Sequence, residues 1–243
     1  MEFFLHTADT VPEGMGFAHF SPEHFGELAF FLLLAGAVCL TYRRAGQEGR
    51  RRLRRVMAAL LIGDELFKHI MLLAGGNWSP GYLPLHLCSI NLFLAAVHAR
   101  RPSRALGGFL YCVCLPAALA ALLFPNWSGL PLWNFMRLHS FSVHILLALY
   151  PLMLLAGGEV ERGYRQVPGY LAILLGLAAV ALAANLLFDT NFMFLMYAPK
   201  GNPLGFFEAA LGSHLWGFPI IIAPVVLLLQ LPLPRVGRKA VHR

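Results

Sequence analysis

The chain has 243 residues, of which 58% are apolar and only 13% are charged, and its mean hydropathy is +0.64. A soluble domain carries about 25% charged residues, so this composition excludes an ordinary soluble protein. The formal net charge is +7. The basic residues form short clusters without interleaved aromatic residues on a separate domain, which excludes nucleic acid as the expected partner. The apolar runs between these clusters are long enough to cross a bilayer, which takes about 20 helical residues.

These runs predict an all-α, polytopic membrane protein with seven transmembrane helices. The seven spans are placed, in chain order, at residues 24–42, 54–75, 83–99, 104–124, 139–156, 168–188 and 213–231. They form one transmembrane domain over residues 24–231, which leaves an N-terminal segment of residues 1–23 and a basic tail of residues 232–243. The N-terminal segment lacks the charged start and the cleavage site of a removable signal peptide, so the first span is expected to act as the insertion signal.

The basic residues of the connections predict the orientation of the spans. Sixteen of the 19 Lys and Arg residues fall in the odd-numbered connections and the C-terminal tail. Two, Arg137 and Lys200, fall on the opposite side, and Lys68 lies within a span. The positive-inside rule therefore predicts an N-terminus outside and a C-terminus in the cytoplasm. We expect a multi-pass protein of the cell membrane, embedded in the lipid bilayer, and the sequence leaves its oligomeric state open.

Polar side chains within the predicted spans gather at one depth. An ionisable group at the centre of a bilayer costs about 2.5–3.5 kcal/mol on insertion scales, so each one is a candidate functional residue. In the predicted orientation nearly all of them lie in the outer half of the membrane, which predicts a polar cavity there. The set comprises Asp64, Glu65, Lys68 and His69 of the second span, His86, Cys88 and Asn91 of the third, His139 and His144 of the fifth, and His214 of the seventh.

The charges of the second span also have a purely structural interpretation. Asp64 and Lys68 are four residues apart, as are Glu65 and His69, so each pair can neutralise itself on one face of a helix. For any single residue this interpretation is the simpler one. The convergence of the whole set on one depth favours a functional site, because buried charge tends to mark a site or a pathway.

Cys88 is the candidate nucleophile. It is predicted to lie about one turn into a helix that begins at Pro84, a residue favoured at the first helical position. A thiol in apolar surroundings is inert without a base, and His144 is predicted at the matching depth, both about five residues in from the outer end. The other cysteines have no comparable polar neighbours and are predicted to pack as small apolar side chains; these are Cys39, Cys112 and Cys114.

Three short segments carry a resemblance to a family. Residues 84–89 (Pro-Leu-His-Leu-Cys-Ser), 141–144 (Phe-Ser-Val-His) and 191–195 (Asn-Phe-Met-Phe-Leu) resemble the YwaF-like bacterial integral membrane proteins, relatives of the eukaryotic transmembrane protein 164 family. The resemblance covers nearly the whole chain in span number and motif order. It implies kinship with the androgen-induced gene 1 lipid hydrolases, which use a threonine nucleophile and a histidine. It also implies kinship with an acyltransferase that remodels ether phospholipids through a cysteine and a histidine.

The resemblance implies that Cys88 is the nucleophile and His144 the base of an acyl transfer. Cys88 would attack an acyl ester of a phospholipid, and a lysophospholipid hydroxyl or water would then take the acyl group, without a metal or cofactor. Asn91 or Ser89 is the candidate oxyanion donor. Asn191 belongs to an aromatic loop over residues 190–207 that is expected to form a lid or, equally, an interfacial anchor. The residues expected to bind the substrate or support the site are His86, His69, Lys68, Asp64, Glu65, His139 and His214.

Two other classes of function fit the same residues. The first is a zinc-dependent membrane lipid hydrolase, because three histidines suffice for a zinc site with an open position. No helix carries the helpful i,i+4 pair of histidines, and the available ligands are Asp64, His69, His86, His139, His144 and His214. The second is a transporter or other ligand-binding membrane protein without chemistry. The lack of an inverted repeat and the apolar cytoplasmic half argue against a transport path.

The orientation can be tested with reporter fusions. A fluorescent protein fused after residue 243 is expected to fold and fluoresce, because the basic connections hold that end in the cytoplasm. Alkaline phosphatase fused there is expected to be inactive, since its disulfides form only in an oxidising compartment. The same two reporters fused within residues 76–82 are the matched control and are expected to give the opposite pattern. An active phosphatase at the C-terminus would reverse the predicted orientation.

Overall fold

The computed structural model describes residues 2–199 and 202–231, and within these ranges the chain is helical with no β-strand. The prediction of an all-α protein is therefore confirmed. Lys200, which contributed to the predicted orientation, and the basic tail of residues 232–243 lie outside the described residues.

Nine α-helices follow one another in the described part of the chain. They are α1 Pro22–Arg44, α2 Gln47–Ala74, α3 Leu87–Arg100, α4 Arg104–Phe109, α5 Leu115–Leu123, α6 Phe135–Ala156, α7 Val167–Phe188, α8 Leu204–Leu211 and α9 Gly217–Leu229. A π-helical turn, Leu110–Cys114, joins α4 to α5, so that the three pieces form one continuous helix, Arg104–Leu123.

Within the described residues, four helices are long and apolar enough to cross a membrane, and a bent pair provides a fifth candidate. The four are Pro22–Arg44, Arg104–Leu123, Phe135–Ala156 and Tyr164–Phe188. The fifth would be α8 together with His214–Leu229, which meet at an angle of 118°, the geometry of a broken span or of a re-entrant loop. The chain is thus a membrane protein with several candidate spans. Seven spans, their orientation and the cell membrane as the location stay predictions.

The second and third predicted spans are helices without the length or composition of an independent span. α2 carries many charged residues over its 28 residues, from the basic first turns to the cluster beginning at Asp64. α3 has 14 residues, about 21 Å at the helical rise of about 1.5 Å per residue. The hydrocarbon core is about 30 Å thick, so α3 alone does not cross it.

The prediction that a helix begins at Pro84 is wrong, because α3 begins at Leu87. His86 is the N-cap residue and has an extended backbone, with φ −67° and ψ 150°. Its backbone carbonyl oxygen accepts the Ile90 N–H at 3.0 Å. Cys88 is therefore the second residue of α3 rather than a residue one turn into it. It lies among the backbone N–H groups that have no partner within the helix.

α6 begins four residues earlier than the predicted fifth span, at Phe135. The Asn134 side-chain oxygen accepts the N–H groups of residues 136 and 137, at 2.9 and 3.3 Å, which caps the helix there. Arg137 is consequently a helical residue, 3% exposed, and not the loop charge that the sequence predicted. Its Nη2 donates to Glu23 at 2.6 Å and to Glu27 at 2.7 Å, so it ties the start of α6 to α1.

α6 is the central helix of the fold. It packs against α1, α2, α3 and α5, and Leu147, Tyr150 and Met153 on it are fully buried. α7, in contrast, leaves large apolar side chains such as Leu175 and Leu187 exposed. Lipid tails are as apolar as leucine, so such a surface suits a helix that faces lipid.

A cluster of polar side chains holds the opposite end of α6, close to its C-terminus. Tyr42 of α1 donates its hydroxyl to Glu159 at 2.9 Å. Arg54 of α2 donates to the Tyr42 hydroxyl at 2.6 Å and to Glu159 at 2.8 Å. The Tyr42 ring is fully buried and lies against Gly157, the residue that follows α6. One carboxylate therefore fastens α1 and α2 beside the end of α6.

Gly157→Ala is expected to destabilise the protein by about 1–3 kcal/mol, the usual cost of overpacking a well-packed core. A Cβ at this position would lie 2.6 Å from a ring carbon of Tyr42, which the surrounding cluster prevents from moving. Gly176→Ala in α7 is the matched control, because nothing lies within 4 Å of its Cβ position. Thermal unfolding of both variants in detergent measures the difference, and equal midpoints would show that Tyr42 can move.

Candidate active site

A buried cluster of charged side chains lies on the face of α2 that meets α6. Glu65 is 4% and Lys68 6% exposed. The Lys68 Nζ donates to Glu65 Oε1 at 2.6 Å, and the His69 Nε2 lies 3.3 Å from the same oxygen. The Glu65–His69 pair predicted from the i,i+4 spacing is present, with Lys68 as a second partner of that carboxylate.

Asp64 extends this cluster across the helix interface to α6. Ser142 donates its hydroxyl to Asp64 Oδ1 at 2.8 Å. The His139 Nδ1 lies 3.2 Å from both the backbone oxygen and Oδ2 of Asp64, and its Nε2 lies 3.9 Å from Glu65 Oε2. The ring of His139 therefore stands between two carboxylates of α2. We call Asp64, Glu65, Lys68, His69, His139 and Ser142 the polar network.

The Asp64–Lys68 pair expected from the sequence is not formed. Asp64 accepts a hydrogen bond from Ser142 of α6, whereas Lys68 donates to Glu65, which lies one turn earlier on the same helix. A hollow of about 460 Å³ opens beside the N-terminal segment, and none of the predicted site residues line it. The polar cavity predicted in the outer half of the membrane stays a prediction.

Cys88 is half-buried and packs against the main apolar core at the start of α3. α3 packs against α2, the helix that carries Lys68 and Glu65 of the polar network. The predicted packing role of two other cysteines agrees with their positions, since Cys112 and Cys114 are both buried. Cys88 is thus the cysteine of α3, the helix that packs against both α2 and α6.

His144 is held on two sides. Its Nδ1 donates to the backbone oxygen of Ser140 at 2.6 Å, and since a carbonyl oxygen only accepts, the proton of the neutral ring belongs on Nδ1. The Nε2 is then left with a free lone pair. The indole of Trp127 stacks on the ring, with centroids 5.0 Å apart and planes inclined by 18°. The sequence offered no signal for this contact, because a tryptophan in a connection is usually an interfacial anchor.

Cys88 and His144 lie on helices that pack together, but no hydrogen bond joins the thiol to the imidazole in the described residues. The two residues do not stand equally far into their helices, whereas their matching depth in the membrane stays a prediction. Cys88 is the second residue of α3 and His144 the tenth of α6, because α3 begins later and α6 earlier than predicted. Each side chain is positioned by neighbours on its own helix, and catalytic hydrogen bonds are often completed only when substrate is bound.

His86 connects the start of α3 to the segment that follows α7. Its Nδ1 accepts the N–H of Met193 at 3.3 Å, and its ring contacts those of Phe192 and Phe194. His214 donates from Nε2 to the carbonyl oxygen of Phe194 at 3.0 Å. Both histidines therefore hold the Phe192–Phe194 turn, and neither contacts the polar network through a hydrogen bond in the described residues.

The side chain of Asn191 forms hydrogen bonds within its own loop. Its Oδ1 accepts the N–H of Met196 at 3.0 Å, and its Nδ2 donates to the carbonyl oxygen of Tyr197 at 2.9 Å. The neighbouring Phe192 is completely buried and is bound on both its N–H and its carbonyl by Asn185 of α7. This part of the predicted lid is therefore anchored to the helices.

Asn91 lies on α3 three residues after Cys88 and is 1% exposed. Its Oδ1 is buried and has no hydrogen-bond partner. The unpaired atom is an acceptor, which fits a hydroxyl donor better than the oxyanion role expected from the sequence. Within residues 2–199 and 202–231, no group of three or more His, Cys, Asp or Glu side chains is arranged to hold a metal ion.

The family of the chain follows from its match to a family sequence model. The model of the TMEM164 family matches residues 19–230. The chain belongs to the TMEM164 family. No curated protein and no solved structure matches it significantly. The matched range of this TMEM164 family member contains Cys88, His144 and the whole polar network, whereas the narrower YwaF-like resemblance stays a prediction.

Lys68→Met is expected to destabilise the protein by about 3–5 kcal/mol, because it leaves the buried Glu65 carboxylate without its cation. Adding Glu65→Gln to Lys68→Met is expected to restore part of the lost stability. Arg51→Met is the control, since Arg51 and Glu48 form an exposed pair on the same helix that contributes about 1 kcal/mol or less. Unfolding in detergent measures the wild type, Lys68→Met, Glu65→Gln, their double variant and Arg51→Met. An additive double variant would contradict the pairing of Lys68 with Glu65.

Proposed function

We propose that the protein is a membrane-embedded acyltransferase or acyl hydrolase that acts on phospholipid esters through Cys88 and His144. The observation that carries the proposal is the state of His144. Its Nδ1 is committed to the Ser140 carbonyl and its face to Trp127, which leaves Nε2 as a fixed acceptor. A general base needs such an oriented lone pair, and the supporting group that orients it is part of the usual arrangement of nucleophile and base.

The first half of the reaction forms an acyl-enzyme. The Nε2 of His144 accepts the proton of the Cys88 thiol, and the sulfur attacks the carbonyl carbon of the phospholipid ester. A carbon–sulfur bond forms and the ester carbon–oxygen bond breaks. His144 gives the proton to the departing oxygen, so that a lysophospholipid leaves and a thioester remains.

The second half regenerates the thiol. A lysophospholipid hydroxyl or a water molecule gives its proton to Nε2 of His144 and attacks the thioester carbon. A carbon–oxygen bond forms, the carbon–sulfur bond breaks, and the sulfur recovers the proton from His144. Attack by the lipid hydroxyl makes the protein a transferase, and attack by water makes it a hydrolase.

The surroundings of Cys88 support its role as the nucleophile. The position at the second residue of α3 places the sulfur near the free N–H groups and the positive end of the helix dipole. α3 packs against α2, the helix that carries the Lys68 ammonium, and against α6, the helix that carries His144. The unpaired oxygen of Asn91, one turn further along α3, offers an acceptor for the incoming hydroxyl.

Acyl exchange by the purified protein tests this proposal. In detergent with phospholipid and labelled lysophospholipid, Cys88→Ala and His144→Ala are each expected to lose at least about 100-fold in rate, since each removes a group that moves in the reaction. Cys39→Ala is the matched control, a half-buried cysteine of α1 away from the polar network. Unchanged acyl exchange in both site variants would refute the assignment.

The products distinguish the two forms of the reaction. Labelled phospholipid indicates transfer, whereas free fatty acid alone indicates hydrolysis. Brief reaction followed by acid denaturation is expected to leave an acyl group on the wild-type protein that hydroxylamine releases, because a thioester is cleaved by that nucleophile. Cys88→Ala is expected to carry none.

A further inference from the structure

Trp127 is buried in the connection between α5 and α6. It is 4% exposed, whereas Trp133 in the same connection is 67% exposed. Its backbone oxygen accepts the Leu130 N–H at 3.0 Å, and the backbone oxygen of the next residue, Ser128, accepts the N–H of Phe17 at 2.8 Å. These hydrogen bonds hold the connection at the residue whose indole stacks on His144.

The indole Nε1–H of Trp127 is a buried donor with no acceptor in the described residues. Most buried polar groups in proteins are paired, and leaving one unpaired is unfavourable. The Asn91 Oδ1 is a buried acceptor that also lacks a hydrogen bond, and it is not paired with the indole. An unpaired donor beside the base is complementary to a ligand that carries an accepting oxygen.

We propose that Trp127 binds the substrate directly, by donating its Nε1–H to the carbonyl oxygen of the acyl ester. This inference rests on the proposed function and names a binding residue for it. The ester carbonyl oxygen only accepts hydrogen bonds, so it matches the indole N–H and not the unpaired Asn91 oxygen. Because Trp127 lies against His144, an ester within reach of the base is also beside the indole. The hydrogen bond strengthens as negative charge develops on that oxygen during attack by sulfur.

The kinetic test separates the indole N–H from the stacked ring. Trp127→Phe keeps an aromatic ring against His144 and removes the donor. It is expected to lower kcat about 100-fold or more with little change in KM, as for the loss of one oxyanion donor. Trp133→Phe is the matched control and is expected to keep the wild-type kcat. A Trp127→Phe protein with the kcat of the wild type would overturn the proposal, even if its Tm were lower.

A spectroscopic test does not depend on turnover. Cys88→Ala protein with ¹⁵N-labelled indoles, held in a maltoside detergent that has no ester, is titrated with a diacyl phospholipid or with the dialkyl ether lipid of the same headgroup. The NMR signal of the Trp127 indole proton is expected to shift downfield when the diacyl lipid is added and to keep its position when the ether lipid is added. The Trp133 signal is the internal control.

Failure of the role of Trp127 and failure of the proposed acyl transfer give different experimental results. If the Trp127 signal moves with the diacyl lipid and the wild-type protein has no acyl exchange, ester binding at Trp127 stands and the proposed chemistry falls. If acyl exchange requires Cys88 and His144 but the Trp127 signal stays, the chemistry stands and the role of Trp127 is overturned. An equal shift with both lipids would likewise overturn it, since the ether lipid has no acyl carbonyl.

Discussion

The contact between α2 and α6 is made by charged groups that have to neutralise one another away from water. Glu65 and Lys68 pair on α2, where an unpaired charge is costly, and Asp64 contacts Ser142 and His139 of α6, which fixes how the two helices face each other. α3, which carries Cys88, packs against both helices of this contact. The position of the candidate nucleophile relative to α6, and hence to His144, therefore depends on the network being complete.

Further contacts hold α6, the central helix, close to both of its ends. Near one end, Arg137 joins α6 to α1 through two carboxylates, and near the other Glu159 gathers side chains of α1 and α2. Buried ion pairs are weak evidence for stability, but breaking one is costly because it strands a charge. These contacts restrict the movement of α6, which suits a helix that carries a candidate general base.

The two candidate catalytic side chains are held separately. His144 is oriented by Ser140 and Trp127, and Cys88 stands at the start of a helix whose cap, His86, is tied to the segment after α7. An acyl ester seated beside Cys88 and His144 would meet the nucleophile, the base and the indole donor. In the proposed reaction the bound ester would bring the thiol and its base together, since a thiol without its base is inert.

The sequence by itself determined the all-α membrane class and pointed to Cys88 and His144. Apolar runs and the buried charges of α2 are local properties that hold wherever the helix packs. Only the tertiary structure decided that Asp64 bonds to α6 and not to Lys68, that α3 begins at Leu87, and that Trp127 stacks on His144. Those outcomes depend on which helix faces which. Several partners were equally close along the chain, and packing between distant segments selected among them.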